Sequence, residues 1–104
     1  MTNIHFVDIG FSNYVEASKI LTVNRPESSP MKRVVQHARE NGSFLDLTQG
    51  KKTRSIITQK GENGIVVTAS AIQPATIVDR IKRTQLSSEI TQKLEPDILN
   101  SAKL

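Results

Sequence analysis

The sequence contains no cysteine, no tryptophan and only three phenylalanines and one tyrosine in 104 residues. Without cysteine there can be no disulfide, thiolate metal site or cysteine nucleophile, and this composition is typical of the cytoplasm. No apolar run approaches the ~20 residues of a membrane span, and the N-terminus lacks the pattern of an export signal. With 37% hydrophobic residues, the chain is expected to form one soluble cytoplasmic domain with no membrane partner.

The residues needed for catalysis or metal binding are equally sparse. The two histidines, His5 and His37, fall in different segments and lack the carboxylate spacing of a metal site. The segment 50–53, GKKT, is similar to the end of a phosphate-binding loop, but Leu45 stands where that motif requires its first glycine. No serine lies in a nucleophile-elbow pattern. We therefore expect no enzyme, no metal, no cofactor and no small-molecule substrate.

Asp8 and Asp46 are the two carboxylates to consider as an acid–base pair. Each follows an apolar residue of a predicted strand. A carboxylate at a strand end more commonly accepts hydrogen bonds from backbone N–H groups, so a structural role is favoured for both.

The positive charge is concentrated in the middle of the chain. Residues 1–30 carry two cations and three anions, residues 31–60 carry seven and two, and residues 61–104 carry five and five. The densest part is the predicted loop 50–54, with Lys51, Lys52 and Arg54. An isolated triplet of this kind is usually a solvated turn, but a surplus of five cations within thirty residues favours an acidic partner.

The first third of the chain has the composition of extended structure. Residues 4–9 form a predicted strand that is apolar on both faces, which indicates a central strand or a subunit contact. Residues 10–13 form a turn, and residues 14–23 continue as one interrupted strand or as two short strands around residues 16–19. Lys19 lies at that interruption and by position alone is an ordinary exposed lysine.

A helix is predicted from Pro30 to about Asn41, with Ser29 as its cap and Gly42 as its left-handed end. Its apolar stripe comprises Met31, Val34, Val35 and Ala38, and its outer face carries Lys32 and Arg33. A strand at 44–47 leads to the predicted loop 50–54. A hairpin follows, whose strands 55–59 and 65–69 are joined by a segment that contains Asn63-Gly64. A second helix starts at Pro74, with Ile77, Val78 and Ile81 facing inward. Leu86, Ile90 and Leu94 allow a further short amphipathic helix before the end of the chain.

Nucleic acid is the acidic partner that the residues suit best. Single-stranded RNA platforms need exposed aromatic side chains, whereas the four aromatics here lie in positions typical of a core or a turn. Lys51 and Lys52 suit point contacts to phosphate, and Arg54 is the better candidate for a groove. The pattern favours duplex DNA bound mainly through its backbone.

Five segments together resemble the bacterial RemA family of regulators of extracellular matrix and biofilm genes, over about residues 3–83. These segments are DIGFSN (8–13), PESSPMKR (26–33), AR (38–39), GKKTR (50–54) and AIQP (71–74). The resemblance implies a DNA-binding transcriptional regulator with a fold like the LytTR DNA-binding domain, assembled into a ring of seven or eight subunits. It also implies that Lys19, Lys51 and Lys52 contact DNA. This chain departs from the family in having lysine rather than arginine at these three positions, which leaves phosphate attraction but weakens bidentate contacts.

The sequence thus predicts an α+β protein with a small, antiparallel-rich sheet and two main helices, which self-assembles and binds duplex DNA. Residues 1–86 form the DNA-binding domain, and residues 87–104 form a weakly helical or disordered tail. The predicted DNA-contacting residues are Lys19, Lys51, Lys52, Arg54, Lys32 and Arg33. The predicted subunit contact comprises Phe6, Val7, Ile9, Phe11 and Tyr14. The competing hypothesis is a structural or protein-interaction module whose basic face meets an acidic protein.

Overall fold

The computed structural model describes residues 4–86, which form six strands, a short 3-10 helix and two α-helices. In chain order these are β1 (Phe6–Asp8), β2 (Tyr14–Glu16), the 3-10 helix (Ala17–Lys19), β3 (Ile20–Asn24), α1 (Ser29–Asn41), β4 (Phe44–Asp46), β5 (Ser55–Gly61), β6 (Gly64–Ser70) and α2 (residues 74–86). The predicted tail, residues 87–104, lies outside the described residues.

A four-stranded sheet with the order β3-β5-β6-β4 forms the centre of the domain, and β1 pairs with β2 in a separate two-stranded ribbon. The pairs β3–β5, β5–β6 and β1–β2 are antiparallel, and β4–β6 is parallel. The α+β class and the antiparallel-rich sheet are therefore confirmed. The parallel pair arises because α1 carries the chain back across the sheet between β3 and β4, as a parallel crossover requires.

The central sheet buries apolar side chains on both of its faces. Helix α1 covers one face, where Ala38 packs against Ile56, Val67 and Ala69. The ribbon and α2 cover the other face, around the buried side chains Val7, Ile9, Ile57 and Ile77. Each fully buried Ile or Val contributes about 1.5–3 kcal/mol relative to an exposed one. The sheet is thus a rigid base for the loops at its ends.

The burial of Val7 and Ile9 corrects one prediction. The sequence predicts both at a subunit contact, but Val7 is 2% exposed and Ile9 is 0% exposed, and both belong to the core of the chain itself. The opposite face of the first strand is open, since Ile4 and Phe6 are exposed. One face of β1 therefore packs inward and the other remains available.

Helix α1 begins and ends through local interactions. Its cap is Ser28, whose Oγ accepts a hydrogen bond from the backbone N–H of Met31 at 3.2 Å. The prediction that Ser29 is the cap is wrong by one residue, because Ser29 already belongs to the helix. Gly42 ends the helix with φ of 72°, as predicted, in a conformation that disfavours a Cβ.

The apolar stripes of both helices are narrower than predicted. Val34 in α1 and Val78 in α2 are exposed, whereas the other members of the two predicted stripes are buried or half-buried. Both valines lie at the edge of the apolar stripe, beside the line of contact with the sheet.

The hairpin between β5 and β6 is confirmed, but its turn differs from the one that Asn63-Gly64 suggests. Gly61 pairs with Gly64, so Glu62 and Asn63 form the two-residue loop, and the positive φ lies on Gly64. A Cβ on Gly61 would come within 2.9 Å of the Gly64 carbonyl oxygen. Gly61 therefore allows the close approach of the strands at this end, and Gly64 supplies the positive φ.

Candidate nucleic-acid interface

The basic loop, defined as residues 47–54, is anchored at its start by Asp46. One carboxylate oxygen of Asp46, Oδ1, accepts hydrogen bonds from the backbone N–H of Thr48 at 3.0 Å and from its hydroxyl at 2.6 Å. The Thr48 side chain is buried, and its carbonyl accepts a hydrogen bond from the N–H of Lys51 at 3.0 Å. Gln49 and Gly50 close the turn with φ of 51° and 79°. The loop is thus a defined turn, and a strand-end carboxylate bonds to a backbone amide as predicted.

The far end of the basic loop is anchored equally well. The backbone N–H of Arg54 donates to the carbonyl of Ser70 at 2.8 Å. The next residue, Ser55, is fully buried and its hydroxyl donates to the carbonyl of Ile72. Both ends of the loop are therefore tied to the end of β6, and Lys51, Lys52 and Arg54 lie between them on the surface.

Arg39, in the last turn of α1, lies close to β4, the strand that precedes the loop. Its guanidinium lies over the ring of Phe44, 4.2 Å from the ring centre. The two hydrogen bonds from Thr48 lower the pKa of Asp46 below its ordinary value, and the charge of Arg39 lowers it further. Asp46 is thus held in the charged form that the loop geometry requires.

The cations of the loop are not neutralised by neighbouring side chains. Within residues 4–86, carboxylates lie within 4.0 Å of only two cations: Lys19 bonds to Glu16 at 3.5 Å and Arg83 bonds to Asp79 at 3.3 Å. Lys51, Lys52 and Arg54 have no such contact with the described part of the chain. Their charge is available to an external anion.

Lys19 lies at a distance along the sheet from the end of the basic loop. It precedes Ile20, which pairs with Gln59, whereas the loop joins β5 at Ser55. Four residues of strand separate these two positions, or about 13 Å. The side chain of Lys19 is 58% exposed and bonds to Glu16. Within this chain, Lys19 therefore lies about four strand residues from the end of the loop at Ser55, although it lines one groove with Leu47, the first residue of the loop.

The two basic residues at the start of α1 point along different flanks of the helix. Because β3 ends at Asn24 opposite Ile56, the first turn of α1 lies at the same end of the sheet as the basic loop. Lys32 shares a flank with Arg39, seven residues later. Arg33 instead lines a groove with His37 and the tip of the β5–β6 hairpin. Lys32 is thus an exposed cation at the loop end of the sheet, and Arg33 faces a different part of the molecule.

Aromatic side chains are more exposed than predicted. Phe6 is 63% exposed and Tyr14 is 59% exposed, although both were placed in positions typical of a core or turn. They lie on the outer face of the ribbon and line a groove of about 460 Å³ with Lys19 and Leu45. Side chains alternate between the two faces of a strand, but the sequence shows which face of β1 points outward only when its pairing with β2 is known.

Phe11 lies at the tip of the ribbon, in the turn 10–13. The backbone N–H of Asn13 donates to the carbonyl of Gly10 at 2.9 Å, and the two central residues, Phe11 and Ser12, have φ of 54° and 61°. This is the geometry of a type I′ turn, which normally takes Asn or Gly at these positions. The turn costs roughly 1–2 kcal/mol per residue in backbone strain and displays an exposed phenylalanine.

Residues 4–86 contain neither a cluster of metal-ligating side chains nor a membrane-spanning helix. No group of three His, Asp or Glu side chains there is arranged to hold a metal ion. No helix in that range is long and apolar enough to cross a bilayer.

Comparison with known proteins assigns this chain to a family. Residues 6–81 match the RemA-like family, described as "Extracellular matrix regulatory protein A-like". A protein of Bacillus cereus (strain G9842) is 70% identical over 84 residues, which cover 81% of this chain and 78% of that one. A protein of Alkaliphilus metalliredigens (strain QYMF) is 39% identical over 93 residues, which cover 89% and 97%. Both are named "Putative regulatory protein".

The match spans all of the elements from β1 to the first half of α2. The chain belongs to the RemA-like family, as the sequence motifs predicted.

Proposed function

We propose that this protein is a transcriptional regulator that binds duplex DNA through the basic loop. The observation that carries the proposal is the anchoring of that loop at both ends, with Lys51, Lys52 and Arg54 exposed and without carboxylate partners among residues 4–86. A rigid loop has little conformational entropy to lose on binding, so its cations can meet phosphates at low cost. The family description and the names of the relatives support a regulatory role, and matrix or biofilm genes are the proposed targets.

Backbone contacts are favoured over stacking because the basic loop contains no aromatic residue. The exposed rings of Phe6 and Tyr14 lie on the ribbon instead, beside Lys19. A lysine presents a compact charge that suits phosphate, and two adjacent lysines can meet successive phosphates of one strand.

We further propose that the protein acts as a closed ring in the cytoplasm, with a LytTR-like subunit and seven or eight copies as the resemblance implies. The separation of Lys19 from the loop supports assembly, since a neighbouring subunit could bring the two sites onto one DNA segment. One subunit offers about three or four phosphate contacts, too few for tight binding at cellular salt, whereas a ring repeats them and makes later contacts intramolecular. Phe6, Phe11 and Tyr14 supply exposed apolar area for the subunit contact.

A gel-shift titration at 50 and 200 mM salt would test DNA binding. We expect log affinity to fall linearly with log salt, with a slope of about 0.9 for each phosphate neutralised. A flat salt response, or no shift at any concentration, would contradict the proposal.

The exposed groove formed by Phe6, Tyr14 and Leu45 supports a second candidate function, a protein-interaction module. In this function, the basic face of the protein would bind an acidic protein. The same titration separates the two candidates, because an acidic-protein ligand predicts no salt-dependent shift with DNA.

A further inference from the structure

One edge of the central sheet is open beside the tip of the β5–β6 hairpin. Strand β6 begins at Gly64, but its outer neighbour β4 begins only at Phe44, which pairs with Val67. The chain before β4 belongs to the end of α1, so no strand of the described residues 4–86 pairs with the outer side of residues 64–66. An unpaired strand edge is a template for an added strand. This edge has room for about three residues of such a strand, in line with β4.

The backbone groups of Ile65 point toward the open edge. The N–H of Val67 donates to the carbonyl of Ser43 at 2.9 Å. Further along, the carbonyl of Ala69 accepts from the N–H of Leu47 at 3.0 Å. The odd-numbered residues of β6 thus bond toward β4, and alternation along the strand directs the N–H and carbonyl of Ile65 to the same side. One donor and one acceptor are therefore presented to an added strand.

A groove of about 1220 Å³ lies along this edge, between α1 and the hairpin tip. Ile65 lies on the sheet face that α1 covers, as do Val67 and Ala69. Its side chain is nevertheless 55% exposed, whereas that of Val67 is 3% exposed. Val34, on the helix wall of the groove, is 37% exposed. Apolar side chains therefore flank the open edge, and we call this surface the α1–hairpin groove.

The helix wall of the α1–hairpin groove is positively charged. Helix α1 carries Lys32, Arg33 and Arg39 against one carboxylate, Glu40. Arg33 lines the groove, and its guanidinium has no carboxylate within 4.0 Å among residues 4–86. The carboxylate that lines the groove, Glu62, lies in the hairpin loop and forms no salt bridge in that range either. A guanidinium beside an apolar surface binds a carboxylate well, because its donors form a planar fork.

We propose that the α1–hairpin groove binds an extended acidic segment of a partner protein, which adds a strand to the edge of β6. Its apolar side chains pack on Val34 and Ile65, and one of its carboxylates bonds to Arg33. The basic loop joins β5 at Ser55, six residues from the hairpin tip at Gly61, or about 20 Å. The groove is thus a partner surface separate from the basic loop, and both can be occupied at the same time.

The probe for this site is a fluorescein-labelled peptide of about eight residues that alternates valine and glutamate. We expect its fluorescence anisotropy to rise to saturation with the full-length chain. A peptide with lysine in place of glutamate should bind at least about five-fold more weakly, because Arg33 repels it. No binding of the acidic peptide, or equal affinity of the two peptides, would overturn the proposal.

Two methylated peptides test the added strand itself. Alternate residues of a strand direct their N–H groups to the same side, so N-methylation of either all valines or all glutamates removes the donors that face β6. One of the two methylated peptides should lose most of its affinity, and the other should lose less. Equal affinity of both would show that the segment does not pair with the strand edge.

Substitutions on the wall of the groove have matched controls on α2. Val34→Asp should lower the affinity for the acidic peptide at least about ten-fold, and Arg33→Gln roughly three- to ten-fold. Glu62→Gln should keep or raise it, since a like charge is removed. Val78→Asp and Lys82→Gln should leave it unchanged, because both residues lie on α2 outside the groove and Val78 is 36% exposed, as much as Val34. Equal losses in the controls and the groove variants would place the peptide elsewhere, and circular dichroism checks that each variant is folded.

Other occupants give different results. If Lys51→Ala with Lys52→Ala abolishes peptide binding, the acidic peptide binds the basic loop and the groove assignment is wrong. If a synthetic peptide of residues 87–104 displaces the probe, the groove belongs to the chain's own C-terminal segment. If Val34→Asp yields smaller species than the wild type by light scattering, the groove is a contact between copies. Unchanged mass, no displacement and an intact response in the double lysine variant support a partner protein.

Discussion

The side chains of Lys51 and Lys52 contribute charge without contributing to the core, since both are exposed in an anchored loop. Replacing both by alanine should remove most DNA affinity and reduce the salt slope by about 1.8, because two phosphate contacts are lost. Folding should be unaffected, as surface substitutions away from caps and cores usually change stability by less than about 0.5 kcal/mol. A gel shift with a thermal unfolding curve measures both effects. Undiminished binding by the double variant would show that the loop is not the contact.

Replacing Asp46 has two expected effects on DNA affinity, one electrostatic and one through the loop geometry, and they are opposite in sign. Removing a negative charge beside a basic loop should by itself strengthen DNA binding. Because Asp46 holds Thr48 through two hydrogen bonds, we expect Asp46→Ala to weaken binding several-fold instead, through loss of the loop geometry. Asp46→Asn keeps one hydrogen-bond acceptor, so its DNA affinity should lie between those of the wild type and Asp46→Ala. Tighter binding by Asp46→Ala would show that the loop does not need this anchor.

The pH dependence of stability checks the same anchor without DNA. The pKa of Asp46 is lowered in the folded protein, so its contribution to stability is complete above about pH 4 and is lost as the pH falls through the folded-state pKa. The difference in melting temperature between wild type and Asp46→Ala should therefore be constant near neutral pH and shrink in acid. A difference that grows as the pH falls would contradict this assignment.

At the scale of elements, helix α1 and its cap set the position of one side of the basic surface. The Ser28 hydroxyl accepts from the N–H of Met31, and loss of such a cap costs about 1 kcal/mol. Ser28→Ala should therefore lower the melting temperature by about 4–8 °C for a domain of this size. Ser29→Ala is the matched control and should change it little, because Ser29 is exposed and lies inside the helix. The reverse order of the two effects would place the cap at Ser29.

At the scale of the whole molecule, the ribbon offers the largest exposed aromatic surface within residues 4–86, and we expect it to form the subunit contact. Phe6→Asp and Tyr14→Asp should each yield smaller species by light scattering than the wild type, with weaker DNA binding through lost avidity. Both side chains are exposed, so the subunit itself should stay folded. A wild-type monomer that binds DNA tightly at physiological salt would defeat the assembly proposal.

Val7→Asp serves as the contrasting variant in that experiment. Its side chain is 2% exposed in the core, and a buried, unpaired carboxylate is strongly destabilising. It should unfold the subunit rather than separate intact subunits, which circular dichroism would distinguish.

Short-range interactions determined what the sequence by itself could predict. The Gly42 end of α1, the hairpin, the basic loop and its strand-end carboxylate were all predicted because each depends on residues within a few positions of one another. The family followed from motifs of the same local kind, and the match over residues 6–81 confirms it.

Only the tertiary structure determined which residues that are distant in the sequence lie close together. The pairing of β3 with β5 placed Lys19 about 13 Å along the sheet from the end of the basic loop. The pairing of β1 with β2 turned Val7 inward and Phe6 and Tyr14 outward. Neighbouring side chains along a strand face opposite ways. Which of the two faces is buried depends on long-range partners, and no local pattern specifies those partners.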